Sequence, residues 1–198
     1  MTMLALAKGT ETAGTSADRF ALIWTIVEAG QEMPKLLVVA SASASDDTER
    51  LARGIARAAH DAGQSAAYLY LGTEPRKSRE STSAYAELTL PVAESARASF
   101  DAAIKAWREA HDVIIVELPA LAGCGLGAHV ARLSDGVVVA VCPTRKVIAA
   151  DGELKALLLK LRALIIGVVK TAPASPAALP ARTHDRALSP LASPVRQQ

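Results

Sequence analysis

Residues 111–119 read HDVIIVELP, and the run Val113-Ile-Ile-Val-Glu117 inside this stretch decides the fold class. Four consecutive branched apolar residues, without polar alternation, are typical of a strand that is buried on both faces. Similar apolar runs recur at residues 36–40, 66–71, 88–90, 136–141 and 163–169. The stretches between them have helical spacing, at residues 48–62, 92–110, 125–133 and 147–161. This alternation predicts an α/β fold with a doubly wound, mostly parallel sheet and helices on both faces.

The termini differ in composition from this central part. Residues 1–15 are small and polar, and residues 172–198 contain five of the ten prolines, so both are predicted to be disordered. Residues 16–30 place Phe20, Trp24 and Val27 on one face of an amphipathic helix. The domain is therefore predicted to span residues 16–171.

Composition excludes several classes of protein. The 198 residues include 22 basic and 20 acidic side chains, so no overall positive charge favours a nucleic-acid partner. The two cysteines, Cys124 and Cys142, form no CxxC motif, which excludes a disulfide scaffold and a zinc ribbon. No signal peptide and no apolar run long enough to span a membrane is found, which predicts a cytoplasmic protein.

Ligands of such a sheet bind at the carboxyl ends of the strands, and the first strand is followed by Ser-Ala-Ser-Ala-Ser-Asp-Asp-Thr-Glu-Arg at residues 41–50. Together with its flanks, this loop resembles the loop Ser-Ala-x-Pro-Gly-Glu-Gly-Lys-Thr of bacterial tyrosine kinases from capsule and exopolysaccharide systems. These kinases are MinD/ParA-like P-loop ATPases. HDVIIVELP is similar to their Walker B strand, with Glu117 at the position of the acid. Residues 135–141 and 161–169 resemble two later strands, so the resemblance covers residues 16–171 and implies a P-loop NTPase-like fold.

The nucleotide loop departs from the family pattern. A Walker A loop needs glycines that bring backbone N–H groups to phosphate, a lysine for the outer phosphates, and a hydroxyl for Mg²⁺. Alignment on residues 41 and 42 places Ser45 and Asp47 at the glycines, Thr48 at the lysine and Glu49 at the hydroxyl. We also expect Asp46 to cap the following helix, with Glu49 completing a capping box. The loop is therefore a degenerate P-loop whose acids repel phosphate.

Other family positions change in the same direction. The Asp-x-Asp after the second strand becomes Tyr70 and Gly72, and the switch aspartate becomes Leu126. The tyrosine cluster at the kinases' C-terminus is absent, because all three tyrosines precede residue 86. The Walker B strand itself keeps only an acid, Glu117, which is one methylene longer than aspartate.

The resemblance and its departures lead to three hypotheses. The first is a non-catalytic pseudo-kinase or pseudo-ATPase, without cofactor, that regulates or scaffolds exopolysaccharide biosynthesis or export. Its implied partner is a chain-length-determinant membrane protein or another ATPase of the family, with a homo-oligomer also open. It would meet the inner face of the membrane only through that partner. The second is an active ATPase or tyrosine kinase that binds ATP and Mg²⁺ through Glu117 and the glycines of residues 123–127. The third is a MinD/ParA-like positioning or partner-binding factor.

Overall fold

The computed structural model describes residues 16–29, 36–43, 47–72, 85–91, 97–118, 121, 124–142 and 148–171. The segments predicted to be disordered, 1–15 and 172–198, lie outside the described residues, as do loop positions Ser45 and Asp46. None of the described helices is long and apolar enough to cross a membrane.

The described helices and strands follow the order that the sequence predicts, with no described helix between the second and third strands. The strands are β1 (Leu36–Ser41), β2 (Ala66–Gly72), β3 (Ala86–Pro91), β4 (Val113–Leu118), β5 (Gly136–Val141) and β6 (Ile165–Lys170). The helices are α1 (Ser16–Glu28), α2 (Thr48–Asp61), α3 (Arg97–Ala110), α4 (Gly125–Leu133) and α5 (Ile148–Lys160).

The last strand begins two residues later than the sequence predicts. Arg162 adopts a left-handed conformation with φ of 58°. The N–H of Ala163 then donates to the carbonyl of Leu158 at 3.0 Å, which closes the end of α5. Residues 163 and 164 therefore complete the turn out of the helix, and the strand starts at Ile165.

The six strands form one sheet in the order β3-β2-β4-β1-β5-β6, and every neighbouring pair is parallel. All residues of the central strands β1 and β4 are buried. This burial on both faces explains why the two strands are continuous apolar runs, and the predicted parallel α/β fold is confirmed.

Helices cover both faces of the sheet. Side chains of α3, α4 and α5 pack in one apolar cluster against the first face, with Phe100, Leu126 and Leu158 among them. Side chains of α1 and α2 pack on the other face, where Trp24 and Ile55 are buried. The carboxyl end of β4 and the start of α2 meet on this second face, which is where the candidate site lies.

Candidate functional site

The candidate site is built around Glu117, near the carboxyl end of β4. In the sheet register Glu117 lies between Val39 of β1 and Tyr70 of β2. Its side chain is fully buried, and Glu117 is the one charged residue of this otherwise apolar strand. Strand alternation turns residues 113, 115 and 117 to the α2 face, so the carboxylate lies under the first turn of α2.

Both carboxylate oxygens of Glu117 accept hydrogen bonds from hydroxyl groups. The hydroxyl of Thr48, the first residue of α2, donates to Oε1 at 2.7 Å. The hydroxyl of Tyr68 in β2 donates to Oε2. Thr48 is 1 % exposed and Tyr68 is 0 % exposed, so this three-residue group lies away from solvent. A buried carboxylate is costly unless its oxygens are hydrogen-bonded, and here the two bonds tie α2 and β2 to β4.

The N-terminus of α2 is capped by an acid of the chain itself. The N-cap residue is Asp47, whose Oδ1 accepts the backbone N–H of Arg50 at 3.1 Å. The prediction that Asp46 caps this helix is wrong, because the helix begins at Thr48 and an N-cap side chain reaches the N–H three residues onward. The predicted capping box is also absent from α2, since Glu49 follows the cap by two residues.

Glu49 belongs to a second polar group on the surface of α2. Its Oε1 accepts from Nε of Arg53 at 3.1 Å, one helical turn away. The guanidinium of Arg53 lies 4.7 Å from the centre of the Tyr68 ring and also donates to the hydroxyl of Tyr85 at 3.4 Å. Tyr68 therefore connects the buried carboxylate of Glu117 to a charged pair at the surface.

Sequence reasoning identified Thr48 and Glu117 but missed Tyr68, Arg53 and Tyr85. Tyr68 and Tyr70 lie two residues apart in β2 and share the face covered by α2. A pair of tyrosines inside an otherwise aliphatic strand is the available signal, because a buried tyrosine hydroxyl usually requires a hydrogen-bond partner. The partner itself could not be found from the sequence, since 49 residues separate Tyr68 from Glu117.

Ser41, the last residue of β1, forms hydrogen bonds with the segments that follow β1 and β4. The side chain of Ser41 is fully buried and donates to the carbonyl of Ser43 at 2.8 Å. The carbonyl of Ser41 accepts the N–H of Leu121, which follows β4, at 3.2 Å. These bonds fix the backbone at the carboxyl end of β1.

Positions 70 and 126 belong to the apolar core. Tyr70 and Leu126, at two positions where the resembled kinases have aspartates, are 8 % and 3 % exposed. Both pack within the apolar clusters of the core. In the part of the chain that the structure describes, no group of three His, Cys, Asp or Glu residues could hold a metal ion. Positions 70 and 126 therefore supply no carboxylate to this edge of the sheet.

Cys124, in the glycine-rich stretch after β4, is the N-cap residue of α4. Cys124 precedes α4, and its Sγ accepts the N–H of Gly127 at 3.1 Å. Gly127 is also closely packed, since a Cβ on it would lie 3.0 Å from Leu121. One N–H group at the start of α4 is therefore already bonded within the chain, and residues 122 and 123 lie outside the described part.

Comparison with known proteins finds no matching family model, and no curated protein matches. Solved structures do match. The chimerical protein CapA2B2 superposes with a TM-score of 0.65 at 15 % identity, covering 81 % of this chain and 86 % of that chain. The kinase domain of VpsO gives 0.62 at 12 % identity, covering 79 % of this chain and 95 % of that one. The kinase domain of the Escherichia coli tyrosine kinase ETK gives 0.57 at 12 %, with coverages of 78 % and 72 %. The chain therefore has the fold of bacterial tyrosine kinase domains.

Proposed function

We propose that this chain is a non-catalytic pseudo-kinase or pseudo-ATPase that regulates or scaffolds exopolysaccharide biosynthesis or export. The shared fold with tyrosine kinase domains supports this class of protein. The changed site edge supports the loss of catalysis within it. A protein of this kind acts through its surfaces, so a partner protein takes the place of a substrate.

One observation carries the proposal, namely the Asp47 carboxylate at the N-terminus of α2. In P-loop proteins this helix end receives phosphate through its free N–H groups and its positive dipole. Here the carboxylate accepts the N–H of Arg50 and supplies a negative charge at the same end. A unit negative charge about 4 Å from phosphate adds up to about 4 kcal/mol of repulsion at an effective dielectric of 20. Residues 41–50 contain three acidic residues and one basic residue, Arg50, to offset them.

The Thr48–Glu117 bond refines how the degenerate loop corresponds to Walker A. In P-loop enzymes the loop hydroxyl and the Walker B acid both hold Mg²⁺, so they lie side by side. The 2.7 Å contact between Thr48 and Glu117 supports placing Thr48 at the hydroxyl position, rather than Glu49 as the alignment predicts. Asp47 then stands at the lysine position. The change from lysine to aspartate reverses the charge where the outer phosphates would bind.

The same bond favours the second candidate, an active ATPase or tyrosine kinase. A threonine hydroxyl beside a carboxylate is the pair that would hold Mg²⁺ in such an enzyme. Against this candidate, the second oxygen of Glu117 is taken by Tyr68 and the pair is excluded from solvent. No lysine is present in the loop to complete the site.

The partner proposed for the scaffold is the cytoplasmic end of a chain-length-determinant membrane protein, or another ATPase of the same family. Either partner would bring the chain to the inner face of the cell membrane. In the host, deletion of the gene is expected to lower the yield or chain length of exopolysaccharide, with recovery on complementation. Unchanged polysaccharide in the deletion strain would contradict a role in this system.

Nucleotide titration separates the two candidates directly. Isothermal calorimetry of the full chain with Mg-ATP is expected to detect no binding tighter than about 1 mM, which corresponds to about −4 kcal/mol. The matched sample is the Asp47→Asn variant, which keeps the cap acceptor but removes the charge. Micromolar binding by the wild-type chain would overturn the proposal and favour the active enzyme.

A further inference from the structure

The strand β6 forms one edge of the sheet and is strongly apolar. Among the described residues, β5 is the sheet neighbour of β6, and the opposite side of β6 is open. Its sequence IIGVVK has one charge, at Lys170. Val168 is 61 % exposed, and the preceding Leu164 is 64 % exposed.

The other edge of the sheet has a different composition. Strand β3, with sequence AELTLP, contains Glu87 and ends at Pro91. Charged residues and proline are the usual means by which proteins prevent edge strands from pairing with other chains. The absence of such residues from the middle of β6 indicates an edge that accepts a further strand.

At alternate positions of β6, the backbone N–H and C=O groups point away from β5. The N–H of Thr171 donates to the carbonyl of Val141 in β5 at 2.9 Å. Because successive residues of a strand alternate their hydrogen-bonding direction, Val169 also bonds toward β5, while Val168 and Lys170 direct their N–H and C=O groups to the open side. These groups are the main-chain donors and acceptors that an added strand requires.

The segment that contains β6 is positively charged. Residues 159–171 include Lys160, Arg162 and Lys170 and contain no aspartate or glutamate, so the segment carries a charge of +3. All three side chains are exposed, two before the strand and one at its end. The apolar edge is therefore bracketed by basic residues.

We propose that β6 binds an extended apolar segment of another protein, flanked by acidic residues, as an added strand of the sheet. The positive charge of the β6 segment favours this partner over two alternatives, which are a second copy of the chain and its own residues 172–198. A second copy of β6 would bring the same positive charge against it. Residues 172–198 of the chain itself carry three arginines and one aspartate, and their five prolines lack the N–H groups of a strand. The proposal goes beyond the scaffolding function and holds whether or not nucleotide binds.

A designed peptide provides the probe. The fluorescent peptide Glu-Glu-Thr-Val-Thr-Ile-Thr-Val-Glu-Glu would be titrated against the full chain by fluorescence anisotropy. Saturable binding is expected, weakening with added salt because the flanking charges are exposed. Replacing the four glutamates by lysines is expected to weaken binding at least tenfold. N-methylation of alternate residues, which removes the donors facing β6, is expected to abolish it.

Protein variants test the edge itself. Val168→Pro removes an outward N–H without removing a bond to β5, and is expected to weaken peptide binding at least tenfold. The charge reversal Lys160→Glu/Arg162→Glu/Lys170→Glu leaves the strand sequence otherwise intact, and is expected to favour the lysine-flanked peptide instead. This second variant keeps the test decisive if the proline variant does not fold.

Two further measurements test whether residues 172–198 or a second copy of the chain occupies the edge instead. A chain that ends at Thr171 is expected to bind the peptide within twofold of the full chain, and tenfold tighter binding would show that residues 172–198 occupy the edge. Sedimentation of wild type and Val168→Pro is expected to give the same mass. A wild-type dimer that the proline substitution dissociates would overturn the proposal in favour of self-pairing. Peptide binding that is unaffected by either edge variant would also overturn it.

Discussion

The two faces of the sheet are held to their helices in different ways. On the face covered by α3, α4 and α5, the buried contacts come from an apolar cluster that includes Phe100, Leu126 and Leu158. On the face covered by α1 and α2, an apolar cluster is joined by the hydrogen bonds of Glu117 with Thr48 and Tyr68. The comparison separates packing, which any large apolar side chain can supply, from hydrogen bonds that need particular partners.

Under the proposed function, this difference is what the loss of a nucleotide ligand would leave behind. Where a P-loop enzyme holds a cation between a hydroxyl and an acid, this chain bonds the hydroxyl directly to the acid. Tyr68 occupies the other oxygen from the neighbouring strand. On the α2 face, a carboxylate and two hydroxyl groups therefore stabilise the fold through their hydrogen bonds.

The largest expected effect comes from removing the acid. Glu117→Ala leaves the hydroxyls of Thr48 and Tyr68 without their acceptor and opens a cavity beneath α2. A buried polar group left unsatisfied costs about 1–3 kcal/mol, so with two such hydroxyls the free energy of unfolding should fall by about 2–6 kcal/mol. Urea denaturation measures this change.

Two controls sharpen this comparison of the faces. Glu117→Gln keeps the shape and one carbonyl acceptor, and should recover at least half of the loss. Leu158→Ala on the opposite face should cost about 2–5 kcal/mol through its cavity alone. A Glu117→Ala variant as stable as wild type would contradict the structural role of this group.

The next largest effect is a gain of nucleotide binding. The variant Ala44→Gly/Asp46→Gly/Asp47→Lys supplies two glycines and a lysine while it keeps the Thr48–Glu117 pair. A charge-assisted bond to phosphate contributes about 1.5–3 kcal/mol, so Mg-ATP should bind at least tenfold more tightly than to wild type. Calorimetry measures the gain.

A second variant follows the alignment predicted from the sequence. Ser45→Gly/Asp47→Gly/Thr48→Lys/Glu49→Thr removes the hydroxyl that Glu117 accepts, and is expected to melt at a lower temperature without gaining nucleotide. Binding by this variant and not by the first would show that the sequence alignment has the correct register. Thr48 would then correspond to the lysine.

The fold could be predicted from the sequence because its signals are local. An uninterrupted apolar run such as residues 36–40 reports burial on both faces, whatever lies elsewhere in the chain. The cap was misplaced by one residue, because Asp46 and Asp47 are chemically equivalent and only the start of α2 at Thr48 distinguishes them. The partners of Glu117 are long-range contacts, which neither periodicity nor spacing can indicate. Resemblance to a family suggested that Glu117 had a special role, but only the three-dimensional arrangement identified Tyr68.

A smaller effect is expected from removing the Thr48 hydroxyl, which donates to Glu117. Thr48→Val removes the donor to Glu117 with almost no change in volume, whereas Thr48→Ser keeps it. The loss of one hydrogen bond to a charged group corresponds to about 1.5–3 kcal/mol, and the serine variant should lose less than half of that. Equal destabilisation by valine and serine, measured by urea denaturation, would indicate that the methyl group of Thr48, and not its hydroxyl, matters.

The smallest effect is expected at the helix cap, where stability and ligand repulsion can be separated. Asp47→Ala removes the acceptor for the N–H of Arg50, and loss of an N-cap costs about 0.5–2 kcal/mol. Asp47→Asn keeps an acceptor oxygen at the same position, so its free energy of unfolding should lie close to that of wild type. Both variants lose the same negative charge, and any change in Mg-ATP binding should therefore be equal in the two. Thermal unfolding combined with calorimetry measures the pair. Destabilisation by asparagine as large as that by alanine would mean that attraction between the aspartate charge and the helix dipole, rather than the hydrogen bond, stabilises the start of α2.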